Sequence, residues 1–327
     1  MKKKLLLIVI CCLFLCGCSR LTIRGEVMEV NGNSFLLLPD GGDALAVTMD
    51  ENTVAFSWSE DVTVSDLKSG AMDGIIITAT GNVKQDTMDA SEVQIEGRLF
   101  RNYHTLGDGT SVNLFKASLY QMYSLENGRE LLFVQKPTKV EETYIAGIGS
   151  LRDLPEAAQE NIRAYYDAQG LLYDELQTLE DAYDAYLAGE NFQTYNLGQE
   201  VCPSAANEEV IYFLTIVSQP GTELRLCEAF NKENGEAIPM EEIFTCEPRE
   251  LIQRLAEISG IDDETLIEEM TAAFRLEYVT VSQNYLEVNF PAGTLPSEEL
   301  TLGMGFEYNE DVRELIQPWA IPSGVNE

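Results

Sequence analysis

The chain has 327 residues, with 21 Lys or Arg against 55 Asp or Glu, for a formal net charge of −34. A surface this acidic repels nucleic acid, teichoic acids and anionic lipid head groups, which leaves cationic proteins, metal ions and neutral glycans as the better partners; the plainer reading is that acidity keeps an extracellular protein soluble. Apolar content of 45% is that of a chain that buries real cores, and the length suits two domains of about 100–200 residues each.

Lys2, Lys3 and Lys4 open the chain as a positive segment, and Leu5 to Leu15 follows as an unbroken apolar run. The run has the length of a secretory h-region and is too short to span a bilayer. It ends in Leu15-Cys16-Gly17-Cys18, which resembles a bacterial lipobox. The resemblance implies a signal peptide over residues 1–17 and lipidation of the Cys18 thiol. Two or more acyl chains, at about 0.8 kcal/mol per buried CH₂, hold a protein stably on a membrane. The chain is therefore expected on the extracytoplasmic face of a bacterial cell membrane, with the membrane as partner through the anchor. An ordinary signal peptide and an uncleaved signal anchor are the competing readings. No later stretch is apolar enough to cross a bilayer, so the rest of the chain is expected outside.

Residues 18–99 read as a small all-β unit. Leu21 to Val30 alternates and ends at Asn31-Gly32, a tight-turn signal. Strands are expected at Ser34 to Leu38, Ala44 to Met49, Thr53 to Trp58, Gly74 to Asn82 and Ser91 to Leu99, with a break at Asp66 to Gly70. Short strands at this spacing predict a small closed barrel. The run from Arg24 to Leu38, with Ser65 to Val83, which carries a Leu-x-x-Gly turn at Leu67 to Gly70, and Ala90 to Leu99, resembles the OB-like domains of bacterial secreted lipoproteins. Such a barrel binds oligosaccharides or single strands on one face, or serves as a spacer; here its tryptophan is Trp58.

Residues 100–322 read as an α+β domain, followed by a tail at 323–327. Ser111 to Gln135 predicts strands that turn at Glu126-Asn127-Gly128. Pro155 to Leu187 predicts a helix, weakened at Gly170, with Ile162, Tyr165, Leu172, Leu176, Leu179, Tyr183 and Tyr186 on one stripe. Glu209 to Val217 and Glu223 to Phe230 read as strands, and Asn231 to Gly235 as a turn into Glu236 to Ile243. Helices are expected from Pro248 to Ile258 and, capped by Asp262, to about Arg275. Leu286, Val288 and Phe290 alternate, and Leu300 to Tyr308 closes the sheet, an antiparallel one packed by helices.

Three pieces of this domain, residues 227–244, 248–275 and 285–318, together resemble the extracellular domain of RsiV-type anti-sigma factors. That domain also precedes the catalytic domain of PdaC-type peptidoglycan deacetylases. The first piece carries Asn231, Gly235 and Phe244 at the family's spacing, and Phe244 and Leu251 are expected in the core. The resemblance implies an extracytoplasmic, non-enzymatic binding module for a lysozyme-like cationic protein or cell-wall glycan. The family's Gly-(Gly/Ala)-His segment is replaced here by Ser218-Gln219-Pro220-Gly221-Thr222. The family's transmembrane helix and cytoplasmic arm have no counterpart in the reading, and Cys18 takes the place of tether.

Little in the chain speaks for catalysis. Its one histidine is His104, so a Ser-His-Asp triad or a His-based zinc site would have to use it. Neither Gly-x-x-x-x-Gly-Lys nor Gly-x-Gly-x-x-Gly occurs, and no cofactor is expected. Asp40, Asp43 and Asp50 lack EF-hand spacing and read as solvated loop acids rather than a calcium or other metal site. With 55 acids, close carboxylate pairs arise by chance, which keeps an envelope enzyme acting on peptidoglycan through carboxylates as the alternative function. Beyond Cys18 the chain keeps Cys202, Cys227 and Cys246. These allow one disulfide, with Cys227–Cys246 favoured because the two flank the expected hairpin, or three free thiols.

Overall fold

The computed structural model describes residues 20–39, 41–70, 72–189, 191–298 and 300–323. The leader 1–17, Cys18 and the tail beyond 323 lie outside the described residues. The chain is mixed α+β, with many strands and few helices, and divides into two compact units. The first runs to Phe133 and takes in Leu179–Thr194; the second holds Val134–Thr178 and the chain from Tyr195 onward.

In the first unit five strands pair into a ring. β1 (Arg20–Asn31) turns at Gly32 into antiparallel β2 (Ser34–Pro39), and the φ of +63° at Gly32 is the backbone state an Asn-Gly turn requires. β2 pairs with β3 (Leu45–Ser57). The two strands expected at 44–49 and 53–58 are one strand with an irregular register between Met49 and Val54. There the Asp50 carboxylate accepts bonds from the Asn52 amide and the Thr53 hydroxyl. Asp66 to Gly70 is no mere break but the end of a short helix, α1 (Val64–Ser69), capped by Thr63 and burying Leu67. β4 (Ile75–Lys84) pairs with β1 and with β5 (Thr87–Thr105), and β5 lies parallel to β3. The ring order is therefore β1-β2-β3-β5-β4 and back to β1. Leu37, Val47, Ile77, Met88, Val93 and Ile95 alternate along these strands and are fully buried inside.

β5 continues past the ring, so the boundary expected at residues 99–100 falls within a strand. Its far half pairs with β6 (Ser111–Ala117), and β7 (Tyr120–Leu125) and β8 (Glu130–Gln135) follow in order. Gly97 permits the close approach of β6, since a Cβ there would stand 2.0 Å from the Lys116 carbonyl oxygen.

The helix expected over 155–187 is two, α2 (Glu156–Gln169) and α3 (Glu175–Ala188), parted at Gly170 with φ +65°. The single stripe divides with them: Ile162 enters the core of the second unit with Tyr165 packed against it, beside the buried Tyr166 outside the expected stripe, while Leu179 and Tyr183 are buried in the first. The second unit is built on antiparallel β9 (Tyr195–Ala206), β10 (Val210–Gln219) and β11 (Thr222–Asn231). Ile211, Phe213 and Phe230 face α2, and Tyr212, Leu214 and Cys227 face the opposite core. Because β10 serves two cores it is apolar at consecutive positions, Val210 through Leu214 all being buried.

After the turn at Asn231 to Gly235, the expected extended return is only the two-residue β12 (Ala237–Ile238) and a helical turn, α4 (Met240–Ile243). α5 (Pro248–Ile258) follows, then α6 (Glu264–Ala273), whose cap is Asp263 rather than Asp262: the Asp263 carboxylate accepts the Thr265 and Leu266 amides. β13 (Val279–Val281), β14 (Tyr285–Phe290) and β15 (Leu302–Glu307) form a small antiparallel sheet that buries Leu286, Val288 and Phe290. Phe244 and Leu251 are buried in the same core, as expected.

Candidate functional site

A concave surface of the first unit gathers the exposed Trp58 and Leu119 with the half-buried Tyr120. Trp58 follows β3, where its amide donates to the Ile95 carbonyl at 2.9 Å, and its ring meets Phe56 edge-on with centroids 5.9 Å apart. It stays 59% exposed, and Leu119 in the β6–β7 turn is 72% exposed. Exposure of this degree costs hydrophobic stabilisation unless something covers the side chains. Trp58, Leu119 and Tyr120, with Gln94 and Glu96 of β5, line a groove of about 360 Å³. The Tyr120 ring stacks on Phe133 at 5.0 Å, which fixes its plane.

The polar part of the groove is held as firmly. Odd residues of this stretch of β5 point into the ring, so Gln94 and Glu96 point outward. Glu96 accepts a bond from Arg24 Nε at 2.7 Å and another from the Thr78 hydroxyl. Arg24 in turn lies over the Phe115 ring, 5.6 Å from its centroid. The arrangement offers apolar planes beside an amide and an oriented carboxylate.

The second unit carries a different cavity, of about 310 Å³, between α2 and the turn at Val140–Glu142. It is lined by Lys139, Glu141, Arg163, Asp167 and the Tyr166 ring among others. Behind Tyr166, α2 covers a cluster of polar groups, of which Tyr166 and Thr215 are buried and Tyr165 and Glu228 half-buried. Burial, then the adjacent Glu228 carboxylate, pushes the Tyr165 hydroxyl up to about 12. Burial raises the Glu228 carboxyl above the usual carboxylate range. The Tyr166 and Thr215 hydroxyls are buried without a hydrogen bond of normal geometry.

The residues singled out from the sequence fall in several places. Cys18 lies outside the described residues. Cys202, Cys227 and Cys246 are all free thiols, so the favoured Cys227–Cys246 pairing is not formed. Cys227 instead sits fully inside the core of the second unit, accepting the Val281 amide at 3.4 Å, and burial raises its thiol to about 12. His104 stands 4.0 Å from Glu180, whose carboxylate also accepts the Gly107 amide. That contact docks the β5–β6 turn onto α3, and no serine or cysteine bonds to His104 among the described residues. Asp50 spends its carboxylate within its own turn. Among the described residues no cluster of three or more His, Cys, Asp or Glu side chains could hold a metal, and no helix is long and apolar enough to cross a membrane. Leu119, Tyr120, Gln94 and Glu96 were not foreseen, because the turn and the strand that carry them meet only through pairing over long sequence distance.

No protein-family model matches the chain, and no curated protein matches it. Among solved structures, a DUF3298 family member from Bacteroides fragilis is 9% identical, over 68% of this chain and 92% of its own, with a TM-score of 0.34. A DUF3298 family protein from Pseudomonas aeruginosa PAO1 is 9% identical, over 58% and 87%, with a TM-score of 0.27. The functional reading rests on the chemistry of the site.

Proposed function

We propose that this chain is a lipid-anchored, extracytoplasmic binding module of a bacterial cell envelope, not an enzyme, and that it holds cell-wall glycan in the groove beside Trp58. The groove carries the proposal. Sugar rings present apolar C–H faces to aromatic planes and hydroxyls to amide and carboxylate groups, and Trp58, Tyr120, Gln94 and Glu96 supply both. The five-stranded ring with β3 beside β5 supports an OB-like reading of the first unit, an architecture whose strand faces carry oligosaccharides. For the second unit the RsiV-like reading is supported by residue roles: Asn231 and Gly235 make the turn, and Phe244 and Leu251 pack behind it.

Titrating the full chain, purified in detergent, with soluble peptidoglycan glycan fragments tests the proposal through saturable binding that Trp58→Ala weakens. Absence of saturable binding refutes it, and release of new fragments favours the carboxylate-dependent enzyme instead.

A second reading, capture of a cationic protein such as lysozyme, is favoured by the net charge of −34. It predicts retention of lysozyme at low salt and loss at high salt, as the screening length falls from about 10 Å at 0.1 M to about 3 Å at 1 M. No retention at low salt sinks it.

A further inference from the structure

Independently of the glycan reading, we infer that the cavity beside α2 in the second unit binds a small zwitterion, a molecule with a free ammonium, a free carboxylate and an apolar body. Each of two facing elements brings one charge of each sign. The turn at Val140–Glu142 and the residue before it supply Lys139 and Glu141; α2 supplies Arg163 and Asp167. The latter two are four residues apart and so share one helix face. Among the described residues none of these four side chains forms an ion pair, although all line one cavity. The Arg163 guanidinium bonds only the neutral Gln159 amide oxygen, at 2.8 Å.

Charges held in this way select by sign. A simple anion meets Lys139 and Arg163 but is repelled by Glu141 and Asp167, and a simple cation meets the reverse. A zwitterion satisfies both pairs, its carboxylate between Lys139 and Arg163 and its ammonium between Glu141 and Asp167. The apolar body has its own surface: Val140, Val201 and Tyr166 are each at least nine-tenths buried and line the same cavity. The rim is preorganised as well. The buried Gln199 amide donates to the Gly170 carbonyl at 2.9 Å and accepts the Leu172 amide at 2.8 Å, which locks the segment that leaves α2. A volume of about 310 Å³ suits an amino acid or a dipeptide.

Calorimetric titration of the full chain in detergent, with leucine and with alanyl-alanine as probes, tests the inference. Saturable binding of either supports it: leucine alone identifies a free amino acid as the class, the dipeptide alone a peptide bearing both free ends, and both together the shared chemistry. N-acetylleucine and leucinamide, each missing one charge, are expected to bind about tenfold or more weakly, as are both probes to Arg163→Gln and Asp167→Asn. The exposed Lys139→Gln guards against a variant that merely misfolds and is expected to weaken binding in the same direction. No binding of either probe up to about 10 mM overturns the inference, and so does equal binding of the blocked analogues or indifference to all three substitutions. Trp58→Ala leaves these affinities unchanged, so failure of this site and of the Trp58 groove are told apart.

Discussion

Replacing Trp58 with alanine removes the largest exposed ring of the groove while sparing most of what the fold needs from this residue. Its backbone bond to the Ile95 carbonyl remains, and the lost packing is one edge contact with Phe56. Trp58 leaves 59% of its surface open. A tryptophan side chain has on the order of 250 Å² of surface, so roughly 150 Å² is available and a sugar on one face covers about 60 Å² of it. At about 25 cal/mol per Å² that contact contributes ~1.5 kcal/mol, about a tenfold change in affinity. Trp58→Ala should therefore weaken binding of soluble glycan fragments about tenfold, while Trp58→Phe keeps a stacking plane and loses less. Calorimetry gives the affinities and circular dichroism confirms the fold. A Trp58→Ala protein that stays folded and binds within about twofold of the parent refutes the stacking argument.

Cys18→Ala should abolish incorporation of labelled fatty acid and release the protein from the membrane fraction; unchanged labelling removes the lipobox assignment. Gly235→Ala should lower the urea midpoint, because the position has φ +72° and a Cβ there would lie 2.4 Å from the Ala158 carbonyl oxygen; strain of this kind costs about 1–3 kcal/mol, and an unchanged midpoint contradicts it. Glu228→Gln tests the half-buried carboxyl under α2. Burial raises its folded pKa above the unfolded value, so the folded state binds the proton more tightly and this group costs stability as pH rises from the unfolded carboxylate range through the folded pKa. The glutamine protein should consequently be the more stable at pH 7, with the difference shrinking at a pH below the unfolded carboxylate range, measured by urea unfolding of both proteins at each pH. A constant difference across that range assigns the effect to something other than ionisation.

Much of the fold was legible because local chemistry fixes it. Asn31-Gly32 requires a turn with positive φ, Pro248 starts a helix where its missing N–H costs nothing, and the alternation of Leu286, Val288 and Phe290 marks one buried face. Errors came where a short-range pattern was ambiguous. Asp66 to Gly70 has turn residues, yet the reciprocal Thr63–Asp66 bonds make it a capped helix. Tyr165 and Tyr183 share a helical period, yet a Gly170 with left-handed φ parts them into separate cores. Cys227 and Cys246 flank a turn in sequence, but alternation along β11 points Cys227 into the core behind β13, bonded to Val281.

The groove proposed to hold glycan was least legible because its two halves lie far apart in sequence. In sequence Trp58 ends an apolar-rich strand, and the simplest account of a tryptophan there is burial. The extension of β5 beyond the ring pairs Gly97 with Ala117 and brings the Leu119–Tyr120 turn across from Trp58, some sixty residues along the chain, with Trp58 left 59% exposed. Neither half is a motif. A lone tryptophan after a strand and a Ser-Leu-Tyr turn each occur without consequence, and only their juxtaposition over an outward Gln94 and an Arg24-held Glu96 gives apolar planes with fixed polar partners. On the proposed glycan reading the exposed Trp58 surface is covered only in the complex, which is why the tenfold loss expected of Trp58→Ala belongs to the complex and not to the fold.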